Sequence, residues 1–180
     1  MTGIKYLIKG DTEMNKKILI AYATRYGSTK EIAEFMSKTL SEDGYTALAK
    51  DINDITDISG YDFIIAGSAI QMGKWLPEAR EFMQAFKNQL NNVPLFVYSC
   101  GITLNNPDDN ITRKALFATD EIKQYVSPKK TGLFAGSLDK DALNKSDRDL
   151  ILLARPDCGD YRNFEGIKEW IKAIESEFLK

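Results

Sequence analysis

The 180-residue chain contains no histidine. That excludes Ser-His-Asp and Cys-His catalysis, the common zinc sites and any imidazole proton relay. If the protein is an enzyme, something other than an imidazole carries the chemistry. Cysteine is scarce too. Cys100 and Cys158 stand far apart, in no C-x-x-C arrangement, so neither a redox dithiol nor a zinc knuckle is expected. One disulfide and two free thiols both stay open, and free thiols suit a reducing compartment. The net charge is only −2 and no basic stripe is present, which argues against a nucleic-acid partner. No run approaches the ~20 apolar residues of a membrane span, so no transmembrane segment is expected. Ile4–Ile8 is broken by Lys5 and too short for a signal-peptide core, which makes the cytoplasm the expected location. No repeat, low-complexity tract or Pro/Gly-rich linker divides the chain. With 43% hydrophobic and 28% charged residues, one globular domain with one core is expected.

Only residues 1–15 look detachable. They read as an N-terminal extension with a short strand at Ile4–Ile8, ahead of a domain spanning 16–180. From residue 17 the pattern is regular. Ile18–Ala23 is a continuous apolar run, as expected of a strand buried on both faces of a parallel sheet. Ser28 and Glu31 have capping-box spacing, and Ile32, Phe35, Met36 and Leu40 follow at helical intervals until Gly44. Further strands are predicted at Ala47–Ala49, Phe63–Gly67, Leu95–Ser99 and Gly132–Gly136. Between them lie helices marked by Ala79, Phe82, Met83, Phe86 and Leu90, with Pro77 at the start, and by Ile111, Ala115, Ala118 and Ile122. A last helix carries Phe164, Ile167, Trp170, Ile171, Ile174 and Phe178. Alternating strands and helices imply right-handed βαβ units, hence a doubly wound α/β sandwich. In such sheets a ligand sits beyond the strand C-termini where the strand order reverses, so the loops after the first, third and fourth strands are the candidates.

The first of these, Thr24-Arg25-Tyr26-Gly27-Ser28-Thr29, joins a buried strand directly to a helix. Gly27 permits tight backbone geometry, and the helix start offers free N–H groups and a positive dipole to an anion. The hydroxyls of Thr24, Ser28 and Thr29 add donors. The lysine of a P-loop and the glycines of G-x-G-x-x-G are both missing, which disfavours an NTPase or a nicotinamide dinucleotide site. A loop of hydroxyls and backbone fits one phosphate. The same residues could instead only cap the helix and shape the turn.

Ile18–Thr29 resembles the first strand and phosphate loop of the flavodoxin family, whose loop reads [ST]-x-T-G-x-T. Thr24, Gly27 and Thr29 match, and Tyr26 replaces the usual threonine. The runs ATRYGSTKEIAE, GSAIQMGKWLPEAREF and GDYRNFEGIKEW are similar to the branch of that family related to menaquinone-dependent protoporphyrinogen dehydrogenase. The resemblance implies a flavodoxin-like five-stranded parallel sheet in the order 2-1-3-4-5, with helices on both faces and FMN as cofactor. It further implies that Ser68 to Trp75, including Ala69, Ile70, Gln71, Met72, Gly73 and Lys74, runs along the isoalloxazine ring. Gly73 would let a peptide approach flavin N5. Trp75 either stacks on the ring or packs as a staple before the helix. Lys74 either faces the N1–O2 edge or is solvated, and Met72 touches the flavin or fills a gap. Ser99, Cys100, Gly101 and Ile102 would meet the pyrimidine end, Cys100 either against the ring or as an inert buried thiol. This third loop lacks an aromatic residue, so one flavin face is expected to be less covered. Arg25 either adds charge to the phosphate site or lies in solvent. Tyr26 either packs beside the ribityl chain or covers apolar surface elsewhere.

A flavin supplies its own redox chemistry, so a chain without histidine can be an oxidoreductase. The resemblance implies an FMN-dependent oxidoreductase acting on a quinone-like or porphyrinogen-like molecule. The long basic and apolar insertion of the protoporphyrinogen branch is missing, since Leu138–Gly159 is short and mixed in charge, which counts against a porphyrinogen. The alternative is a one-electron carrier between redox partner proteins. A third reading, a module that has lost its cofactor, predicts damaged loops, and Thr24, Gly27, Thr29 and Gly73 are all present. The sequence leaves the oligomeric state open.

Overall fold

The computed structural model describes residues 15–154 and 158–179. The strand expected at Ile4–Ile8 lies outside them. Five strands form a parallel sheet: β1 (Lys17–Ala23), β2 (Thr46–Asp51), β3 (Phe63–Gln71), β5 (Leu95–Gly101) and β6 (Lys130–Ala135). Their order is β2-β1-β3-β5-β6, which is 2-1-3-4-5 when only the parallel strands are counted. A sixth strand, β4 (Lys74–Trp75), pairs antiparallel with β3, and β7 (Ser137–Leu138) pairs with β8 (Gly159–Asp160) in a separate ribbon.

Strand alternation sorts the core into two layers. Ile18, Ile20 and Tyr22 of β1 face α1 (Ser28–Glu42) and α6 (Phe164–Ile174), where Ile32, Met36, Leu40, Ile167 and Ile171 meet them. Leu19, Ala21 and Ala23 face α2 (Pro77–Ala85), packing with Ala79, Phe82 and Met83. Each fully buried aliphatic contributes about 2 kcal/mol, so both faces hold the sheet. Helix α1 stops as expected at Gly44. The Tyr45 N–H reaches back to the Leu40 carbonyl at 3.1 Å and the Gly44 N–H to that of Ser41 at 3.2 Å, a Schellman closure.

Three predicted elements change form. The helix after Pro77 breaks at Phe86 into α2 and the short α3 (Lys87–Leu90). The pattern Ile111–Ile122 splits into α4 (Asp109–Phe117) and a 3₁₀ turn at Ile122–Gln124. The loop expected at Ser68–Trp75 is a continuation of β3, turning at Met72-Gly73 into β4. Leu150–Leu153 falls within α5 (Lys145–Ala154).

Candidate functional site

A cavity of about 380 Å³ opens at the C-terminal ends of β1, β3, β5 and β6. This is where an open parallel sheet binds ligands.

Helix α1 begins behind Gly27, whose φ of +96° places it in the left-handed region that glycine tolerates best. The expected capping box is not formed. Ser28 is the first helical residue, not the cap. Its Oγ accepts the Ser137 N–H at 2.9 Å and lies 2.8 Å from the Ser137 hydroxyl. Glu31 pairs instead with Arg162. The first helical hydrogen bond runs from the Glu31 N–H to the Gly27 carbonyl at 3.0 Å, so the N–H groups of Ser28, Thr29 and Lys30 have no partner within the helix. Thr24 Oγ1 accepts the Gly27 N–H at 3.0 Å and closes the turn. Thr29 is 0% exposed, and its Oγ1 has no hydrogen-bond partner among the described residues. An unsatisfied buried hydroxyl costs about 1–3 kcal/mol, which a bound acceptor would recover. Tyr98 holds this turn from below, its hydroxyl donating to the Thr29 carbonyl at 3.1 Å.

The second candidate segment divides. Ala69, Ile70, Gln71 and Met72 line the cavity. Met72 and Gly73 both have positive φ, 51° and 76°, as a two-residue hairpin turn requires. Met72 is 85% exposed at the tip. Gly73 and Lys74 are exposed and lie outside the cavity lining. Trp75 is 1% exposed, packs in the core beside Leu76 and Ala79, and donates its indole N–H to Ser99 Oγ at 2.8 Å. Trp75 and Ser99 therefore satisfy each other beneath the cavity and contribute no surface to it. The packing role, not the stacking one, is what its side chain performs. The hairpin explains this: β4 alternates, so Lys74 points out and Trp75 in.

In the third segment Cys100, Gly101 and Ile102 line the cavity. The Cys100 thiol is buried, and burial pushes it up to about 12, so it stays protonated and inert. Both cysteines are free thiols, Cys158 being exposed.

The residues that sequence reasoning missed come from the arm after β6. Gly136, Ser137, Leu138, Leu143 and Asp147 complete the cavity wall. Gly136 carried a signal, standing at the C-terminal end of a parallel strand. A Cβ there would lie 3.2 Å from Cys100 Sγ and 3.5 Å from Ser28 Oγ. Asp147 carried none. It accepts hydrogen bonds from Tyr26 Oη at 2.5 Å, Arg25 Nε at 3.0 Å, Asn144 Nδ2 at 3.2 Å and Gln71 Nε2 at 3.3 Å. Its carboxyl is held below the usual range, chiefly by the Tyr26 hydroxyl and next by Arg25. Arg25 and Tyr26 thus point to the arm, with the guanidinium 5.9 Å from the centre of the Tyr26 ring.

No helix among the described residues is long and apolar enough to cross a membrane, and no cluster of candidate metal ligands occurs among them. The family model described as Flavodoxin domain matches residues 19–160. Protoporphyrinogen IX dehydrogenase [quinone] of Escherichia coli (strain K12) is 26% identical over 140 residues, 76% of this chain and 77% of that protein. Among solved structures, oxidised flavodoxin 2 from Bacillus cereus aligns with a TM-score of 0.59 at 19% identity, covering 90% of this chain and 99% of that one. The Fusobacterium nucleatum flavodoxin bound to flavin mononucleotide aligns with a TM-score of 0.54 at 16% identity, covering 91% and 99%. The strand order, the turn at residues 24–29 and the match across most of the sheet lead to one assignment: the chain belongs to the flavodoxin domain family.

Proposed function

We propose that the chain is an FMN-binding oxidoreductase that passes electrons to or from a quinone-like or porphyrinogen-like small molecule. The observation that carries this reading is the uncapped start of α1 at the cavity, where the first N–H groups have no partner within the helix and the buried Thr29 hydroxyl lies beside them. Hydroxyl, free N–H groups and helix dipole together make a phosphate cup. Beyond the cup, Ile70, Ile102, Leu138 and Leu143 supply apolar walls for a flat ring, and the cavity volume falls in the ~300–1,000 Å³ range of small-molecule sites. These residues fit FMN. Thr24, Ser28 and Thr29 would hold its phosphate through backbone and hydroxyl groups, and the apolar side chains would exclude water from its ring. Bound FMN supplies the hydride or electron chemistry. Asp147 is held as a carboxylate by its donors and Cys100 Sγ keeps its proton, so neither would give or take a proton at a bound ring near neutral pH.

The likeness to a quinone-coupled dehydrogenase over about three quarters of both chains supports a small-molecule acceptor. A one-electron carrier between proteins is the second reading. The exposed Met72 on the cavity rim favours it, because an apolar tip there suits a protein partner. Anaerobic reduction of the flavin-loaded protein, followed by menaquinone, tests the assignment. Rapid reoxidation is expected. Reduced protein persisting in excess quinone would overturn the oxidoreductase reading, and reduction that halts after one electron without quinone turnover would favour the carrier.

A further inference from the structure

We infer that Asp147 is a positioning residue for the cofactor phosphate, acting through Arg25. This rests on the FMN reading above. Arg25 and Asp147 are the only charged side chains lining the cavity among the described residues, and they pair with each other. Asp147 is 8% exposed and gathers donors from three separate parts of the chain: the anion turn (Arg25, Tyr26), the β3–β4 hairpin (Gln71) and the arm itself (Asn144). The Asp147 N–H in turn donates to Asn144 Oδ1 at 2.8 Å, which fixes the backbone that carries the carboxylate.

The carboxylate takes Arg25 by Nε alone. Neither Nη group makes a hydrogen bond among the described residues, and the side chain is 46% exposed. With the Tyr26 ring on one side and the carboxylate on its inner nitrogen, the guanidinium is held while its two terminal amino groups stay free. Two free amino groups on a planar fork are what a phosphate oxygen pair needs. An unrestrained arginine would lose side-chain entropy on gripping a phosphate, whereas a held one has lost it on folding. Four donors already satisfy the carboxylate, so the phosphate need not displace it. Through Arg25 the arm therefore belongs to the cofactor site.

Riboflavin, which lacks the phosphate, isolates this contribution. Full-chain protein freed of flavin is titrated with FMN and with riboflavin, followed by flavin fluorescence. Asp147→Asn should weaken FMN about tenfold, the worth of one charge-assisted contact, and change riboflavin by less than about twofold. Arg25→Ala should lose FMN affinity to a similar degree, and the double variant should be no weaker than Arg25→Ala within about twofold, because the two act as one unit. Equal losses for both flavins would make Asp147 merely structural and overturn the inference. Tighter FMN binding by Asp147→Asn would overturn it too, showing the carboxylate to be a rival for Arg25. Arg25→Ala with undiminished FMN affinity refutes it however Asp147→Asn folds. Wild-type protein that ignores both flavins at micromolar concentration would instead refute the FMN reading and take this inference with it.

Discussion

Gly67→Ala is the sharpest probe of how the core supports the site. Gly67 of β3 lies opposite Tyr98 of β5 in the parallel register. An added Cβ would fall 2.0 Å from Tyr98 Cζ, 2.2 Å from Cε1 and 2.5 Å from Cε2. The ring has nowhere to go. It is fully buried, the Phe134 ring sits 5.8 Å away between centroids, and its hydroxyl is tied to the Thr29 carbonyl. Overpacking costs about 1–3 kcal/mol, and contacts this short belong at the upper end. Losing the buried hydroxyl's hydrogen bond adds about 1 kcal/mol. The sum, about 4 kcal/mol, is a large part of a domain stability of about 5–15 kcal/mol. Urea unfolding followed by circular dichroism should show the midpoint falling by about 2 M, for a slope of about 2 kcal/mol/M. Tyr98→Ala alone should cost about 3–5 kcal/mol, but adding Gly67→Ala to it should cost under about 1 kcal/mol, since the Cβ then enters vacated space. A midpoint shift below about 0.5 M, or an equal cost in both backgrounds, would refute the reasoning. Because Tyr98 props the turn at residues 24–29, FMN affinity should fall along with stability in the single variant.

Trp75→Phe should cost about 2 kcal/mol in urea unfolding, through the lost bond to Ser99 and a smaller ring, yet leave FMN affinity within about threefold. A folded Trp75→Phe protein that no longer binds FMN would contradict its placement beneath the cavity. At pH about 8 a thiol reagent should label Cys158 and spare Cys100 until urea is added, because a thiol with a pKa of about 12 is almost wholly protonated there. Rapid labelling of both in native protein would refute this. The folded-state pKa of Asp147 is depressed from its ordinary 3.8, so its stabilising contribution is full above that value and lost as pH falls through the lowered one. The stability gap between wild type and Asp147→Asn should be constant from pH about 5 to 8 and close below 3.8, measured by urea midpoints. A gap that varies between pH about 6 and 8 would show that another group sets it.

Local order was legible in the sequence because it depends on near neighbours. The continuous apolar run of β1, the helical spacing in α1 and the stop at Gly44 are read from residues a few positions apart, and alternating strands and helices restrict the topology to few choices. The turn at residues 24–29 was legible for the same reason, since Thr24 and Gly27 bond within it and Thr29 lies in the first turn of the helix behind it. Only the tertiary structure decided how side chains far apart in the chain are used. Trp75 was a candidate for the cavity until the β3–β4 hairpin turned it inward onto Ser99. Ser28 looked like a cap until Ser137, 109 residues later, took its hydroxyl. Asp147 meets Arg25 across 122 residues and Tyr26 across 121. A carboxylate in the polar first turn of α5 carries no pattern to show which of several distant donors it will meet. That choice depends on where the arm packs, and packing is a property of the assembled sheet and helices.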